Sequence, residues 1–233
     1  MLINVIKDRD TEEIVIAKEI ISTDILPLRP EDNCAQAVTM MSIYRVSNLP
    51  VVSDNELLGV LTEEDVSSKD SETLISSFRL AQSHIFVSDQ EHIFDILAKL
   101  TMNKLSVIPV LDKDEKYVGM ITQEGLLNYY AKTYAFNEPG SILVIKTTKA
   151  DYSLSEMTRV VEMEGALVLS SFVTSSYDSS NLFVTLKINQ MEIGKVVTAL
   201  ERYDYDIHAA FTEDSYQTDL KTRYNLLMTY LNV

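Results

Sequence analysis

Two stretches of this chain are copies of one another. Ile43–Val52, read Ile-Tyr-Arg-Val-Ser-Asn-Leu-Pro-Val-Val, lines up with Met102–Leu111 at an offset of 59, so that Ser47 meets Ser106 and Pro50 meets Pro109. Gly59–Asp65 then lines up with Gly119–Gly125 at an offset of 60. The second copy therefore has one extra residue in its polar turn at Asp112–Lys116, a place where surface loops tolerate insertion. A single copy of roughly 50 residues buries little surface by itself, so the two copies are expected to pack together.

Each copy carries the same local pattern. In the first, Ala35, Val38, Met41 and Ile43–Tyr44 recur at helical spacing. Pro-Val-Val reads as a short buried strand, Ser53–Glu56 as a turn and Leu57–Leu61 as a second strand, after which Thr62 opens another helix. The second copy repeats this with Ile93, Ile96, Leu97 and Leu100, then Val107–Leu111, then Val118–Ile121. The predicted unit is helix–strand–turn–strand–helix.

The tandem h-x-P-V-V and G-h-h-T-x-x-D motifs resemble the cystathionine-β-synthase (CBS) domain. The resemblance covers about 17–136, with one copy at 17–78 and the other at 79–137, after an N-terminal extension, 1–16. It implies a compact pseudo-two-fold module that takes an adenosyl ligand (AMP, adenosine, S-adenosylmethionine or ATP) between its copies. It assigns the ribose hydroxyls to Asp65 and the neighbourhood of the sugar phosphate to Thr62. Gly59 lets a ligand or a strand approach the backbone. Pro50, Val51 and Thr122 complete the ligand-binding positions. Arg45 and Lys104, equivalent places ahead of the two Pro strands, and Arg79 are candidate phosphate partners, or simply solvated cations. Thr62-x-x-Asp65 also matches a helix capping box, which needs no ligand. In the second copy Gly125 replaces the carboxylate, so one nucleotide per pair is expected.

Asn137-Glu-Pro-Gly140 breaks the chain, and 138–214 has another rhythm. Ser141–Ile145 reads as a strand, Leu154–Val161 as a helix capped by Ser153, Ala166–Val173 and Leu182–Ile188 as strands, Ile193–Tyr203 as a helix and Ile207–Phe211 as a last strand. The order is βαββαβ, the ferredoxin-like topology, and the fold class of the chain is α/β (α+β). With its Pro-Gly start this region resembles an ACT domain, which implies an amino-acid site at the first β–α loop, Thr147–Ser153. CBS–CBS–ACT resembles the acetoin-utilisation-type regulatory proteins. Leu220, Tyr224, Leu227 and Leu231 give 215–233 the spacing of an amphipathic helix.

The chain has 20 Lys and Arg against 35 Asp and Glu, net −15, with 12 against 22 (net −10) before the break. Such acidity opposes nucleic acid, anionic membranes and polyphosphates, and favours AMP, adenosine or S-adenosylmethionine over ATP. One cysteine, Cys34, forms no internal disulfide and is read as core rather than nucleophile. His84, His92 and His208 are scattered, and no nucleophile–base or metal-ligand spacing occurs. No apolar run reaches the length of a signal peptide core or a spanning helix. The expectation is a cytoplasmic, non-enzymatic sensor needing no cofactor. Its expected partners are a second copy of the chain and a regulated protein. A nucleotide-free interaction module and an amino-acid sensor are the alternatives.

Overall fold

The computed structural model describes residues 16–80, 85–175 and 180–212. The expected helix at 215–233, nearly all of the 1–16 extension, and His84 lie outside the described residues. The chain forms two compact units, Met1–Tyr129 and Tyr130–Val233.

In the first unit, copy one comprises α1 (Cys34–Tyr44), β1 (Asn48–Ser53), β2 (Glu56–Thr62) and α2 (Glu63–Ser67). Copy two comprises β3 (Val87–Ser88), α3 (Ile93–Met102), β4 (Val107–Leu111), β5 (Tyr117–Thr122) and α4 (Gln123–Thr133), which crosses into the second unit. The predicted hairpins are present, β1 antiparallel to β2 and β4 to β5. Asp54 and Asn55 both take left-handed φ values, +50° and +63°, as a tight two-residue turn requires. The longer second turn is held by Asp112, whose Oδ1 accepts from the Asp114 and Lys116 amides, each at 2.9 Å.

The inner faces of α1 and α3 differ from the predicted ones. Cys34, Ala37 and Met41 are buried, matching Ile93, Ile96 and Leu100 at the offset of 59. Val38 and Leu97 are each 38% exposed, and Ile43 points outward. The phase of α1 is set by Asn33, whose side chain accepts from the Gln36 amide while Gln36 accepts from the Asn33 amide. That cap turns small residues inward, and hydrophobicity alone underweights them.

A third strand segment in each copy escaped the sequence reading. Leu28 bridges in parallel to Val51, its amide donating to Pro50 O at 2.8 Å and its carbonyl accepting from Val52 N at 2.8 Å. β3 pairs in parallel with β4 in the same way. Both segments are too short to carry a period.

The copies also exchange segments. Ser22 and Met120 trade two main-chain hydrogen bonds, 2.8 and 3.1 Å, so the start of copy one, ahead of α1, lies across β5 of copy two. A Cβ at Gly119 would sit 2.5 Å from Ile21 Cγ2 and 2.9 Å from Ser22 O. A Cβ at Gly59 would sit 2.8 Å from Leu80 Cβ. Each glycine therefore makes room for a crossing segment from the other copy.

The seam is closed by Asn48. Its buried Oδ1 accepts from Ser106 N (2.8 Å), Ser106 Oγ (2.9 Å) and Val107 N (3.2 Å), and its Nδ2 donates to Val107 O at 2.8 Å. The Ser47 amide donates to Ser106 Oγ at 2.8 Å.

In the second unit, β6 (Ser141–Thr148), α5 (Leu154–Met163), β7 (Val168–Ser175), β8 (Asn181–Ile188), α6 (Gly194–Arg202) and β9 (Asp206–Phe211) follow the predicted βαββαβ order. The antiparallel sheet runs β7-β8-β6-β9, a ferredoxin-like arrangement. Leu143, Ile145, Val184 and Leu186 bury against Met157 and Val161 of α5 and Val196 and Leu200 of α6. On the other face, Phe172 meets the rings of Tyr134 and Phe136 at 6.1 and 5.9 Å, and Phe183 meets His208 at 5.0 Å.

Asn48→Ala strands two amides and a carbonyl at a buried seam. A loss of about 3 kcal/mol is expected, at ~1–3 kcal/mol per unsatisfied group with partial relaxation, read from the urea midpoint.

Candidate functional site

The strand-to-helix junctions after β2 and β5 are built alike. At the first, the Thr62 amide (2.9 Å) and Thr62 Oγ1 (2.7 Å) both donate to Asp65 Oδ2, and the Asp65 amide donates to Thr62 Oγ1 at 3.2 Å. The Glu63 amide is taken by Ser47 O at 2.8 Å. The capping box is thus complete, and most α2 N-terminal amides are satisfied within the chain. Asp65 is exposed, and its Oδ1 accepts no hydrogen bond among the described residues. One carboxylate oxygen holds the helix, and the other takes no part in the cap.

At the second junction the Gly125 amide donates to Thr122 Oγ1 at 2.8 Å, and the Gln123 amide to Ser106 O at 2.8 Å. The cap survives without the carboxylate. Thr122 keeps the Thr62 place, and Gly125 in the place of Asp65 brings no carboxylate.

The other sequence candidates fall into two groups. Pro50, Val51 and Gly59 are buried scaffold: Val51 lies in the core of the first copy, Pro50 O accepts from Leu28, and Gly59 faces Leu80. Arg45 and Lys104 are exposed and hold left-handed φ values of +55° and +54° as they leave α1 and α3. Arg45 lines a 340 Å³ recess with Ser47 and Glu63, which places a cation beside the α2 start. Arg79 is exposed next to Leu80.

Three features were missed by sequence reasoning. Leu80 and the Ile21–Ser22 segment are irregular crossing chain with no period to read. Asn48 was legible as a polar residue opening a buried strand where the other copy has Val107. Tyr117 stands in the place of Leu57 and packs against the core of copy one. Its hydroxyl is buried with no hydrogen-bond partner among the described residues, and burial pushes the phenol well above its usual range.

The remaining candidates are structural. Cys34 is buried, and burial pushes its thiol up. His92 Nδ1 caps α3 by accepting from the Phe94 amide, and His208 packs edge-on to Phe183. Among the described residues, no three His, Cys, Asp or Glu side chains are placed to hold a metal ion, and no helix is long and apolar enough to cross a membrane. In the second unit a 490 Å³ groove opens at the β6–α5 turn, lined by Lys146, Thr148, Asp151, Asn181, Tyr203 and Asp206 among others. Thr148 Oγ1 donates to Asp151 there at 2.7 Å.

Tyr117→Phe removes only the partnerless hydroxyl. Thermal unfolding is expected to show a melting temperature equal to the wild type or higher, by up to about 1 kcal/mol in stability.

Comparison with known proteins matches the CBS domain model at residues 17–72 and 79–132. An inosine-5'-monophosphate dehydrogenase of Methanocaldococcus jannaschii is 21% identical over 149 residues, 64% of this chain and 30% of that enzyme. The chain spans less than two fifths of the length of the first curated relatives it matches. Among solved structures, a CBS domain pair/ACT domain protein of Thermotoga maritima is similar at 16% identity and a TM-score of 0.46, over 50% of this chain and 97% of that one. The CBS-pair protein CBSX2, solved in complex with AMP, is similar at 21% identity and a TM-score of 0.44, over 50% and 96%. Residues 17–72 and 79–132 of this chain are a tandem pair of CBS domains.

Proposed function

We propose that this CBS pair senses an adenosyl ligand, AMP, adenosine or S-adenosylmethionine ahead of ATP, bound once per pair at Thr62 and Asp65. The observation that carries the reading is that the cap occupies only one carboxylate oxygen of the exposed Asp65, which leaves the other for two ribose hydroxyls. Arg45, beside Ser47 and Glu63, supplies a nearby cation. One phosphate suits this site better than three, because residues 1–136 carry net −10, and acidic surroundings oppose polyphosphates. Gly125 leaves the Thr122 junction without a ribose acceptor. The ligand acts by its differential affinity for two arrangements of the pair, passing the change to the second domain or to a regulated protein. No catalytic residue is assigned.

The second domain supports a further ligand reading, an amino acid. Its resemblance to an ACT domain points to the β6–α5 loop, and the 490 Å³ groove opens there. A thermal-shift screen of free amino acids checks this, with no shift counting against it.

Titration calorimetry with AMP, adenosine, S-adenosylmethionine and ATP tests the nucleotide reading. Binding at one ligand per chain, AMP tighter than ATP, and loss of at least tenfold in affinity in Asp65→Ala are expected. That variant also loses the cap, at about 1 kcal/mol. No heat from any of the four ligands leaves Asp65 as a helix cap alone, in a nucleotide-free interaction module.

A further inference from the structure

We infer that residues 215–233 of this chain lie as an amphipathic helix across the open face of the second unit's sheet. Leu143, Ile145, Val184 and Leu186 bury against α5 and α6, so that side of the sheet is filled. The alternate residues of the same strands point the other way. The strand registers set Phe172, Thr185, Val144 and Ala209 side by side in one uncharged row across all four strands. Lys187, Ile142 and Phe211 stand in the next row, at the end where β9 leaves the sheet. Among the described residues, Tyr134 and Phe136 cover this face at its β7 edge, against Phe172. Phe172 and Phe211 nevertheless stay 37% and 57% exposed.

Pattern, reach and position select the occupant. On a helix, Tyr216, Leu220, Tyr224, Leu227 and Leu231 fall on one side, and Thr218, Thr222, Asn225 and Thr229 on the opposite side. Such a helix gains most of its stability from an apolar surface to pack on. At about 1.5 Å per residue, residues 215–233 span about 28 Å, against about 14 Å for the width of four strands. β9 ends at Phe211, which pairs with Ile142 of the open face itself. Thr212, Glu213 and Asp214 alone separate that strand from Ser215, a normal length for a connection onto a neighbouring layer. The short tether holds the apolar stripe beside the face at high effective concentration, ahead of any second molecule.

The test places a thiol at the centre of the face, Val144→Cys in the full chain, and measures its labelling by a maleimide. The native Cys34 is buried and gives a low background. Slow labelling is expected, at a rate that does not change on dilution of the protein. Adding Leu227→Asp, on the apolar stripe, is expected to speed labelling at least tenfold, and Leu231→Asp on the same stripe to repeat the effect. Thr229→Asp, on the opposite side of the helix, is expected to leave the rate unchanged. Circular dichroism checks that each variant keeps its sheet. Labelling of Val144→Cys as fast by itself as with Leu227→Asp overturns the inference, because the face is then uncovered. Protection lost on dilution also overturns it, because a second molecule is then the cover. Equal acceleration by Leu227→Asp and Thr229→Asp overturns it as well, because the stripe then plays no part.

Discussion

The first unit depends on one side chain. Asn48 satisfies four polar groups of the opposite copy within a buried seam, and no apolar residue could do so. An unpaired amide in that setting costs more than the made bond contributes, so the seam is specific as well as stable. The crossing segments act with it. Ile21–Ser22 lies over Gly119 and Leu80 over Gly59, so each copy fills a space left in the other. The core of the first copy takes in Val107 and Met120 of the second, and both copies lie in one compact unit.

That interlock explains how duplicated sequence yields unequal sites. The backbone is repeated faithfully: left-handed Arg45 and Lys104, the Ser47 and Ser106 carbonyls that take the Glu63 and Gln123 amides, and the Thr62 and Thr122 caps all correspond. With the main chain held in common, differences between the copies reside in side chains. Asp65 against Gly125 decides which junction carries a carboxylate. Asn48 against Val107 decides which copy supplies the bridge. Tyr117 against Leu57 decides which copy sends a ring into the other's core.

Much of this was legible in the sequence. The repeat, both hairpins, the Thr62-x-x-Asp65 cap and the βαββαβ order were read from spacing and turn chemistry, because each is a local property of a few residues. The inner face of α1 was misread at Val38 and Ile43. The cap at Asn33 sets the helix phase, and the buried stripe of Cys34 and Ala37 is only weakly hydrophobic. The short parallel segments at Leu28 and β3 were not legible, because an isolated bridge has no period. Gly59 was read as room for a ligand or a strand, and Leu80 occupies that room. Which of the two it would be depended on chain folded from the other copy, far away in sequence.

The central claim is that the second oxygen of Asp65 turns one of two nearly identical caps into a ribose site. A crystal structure of the full chain grown with AMP tests it most directly. The account predicts one nucleotide per chain, with both ribose hydroxyls within hydrogen-bond distance of the Asp65 carboxylate and no nucleotide at Thr122. A nucleotide at both junctions, or one whose ribose lies away from Asp65, would contradict it.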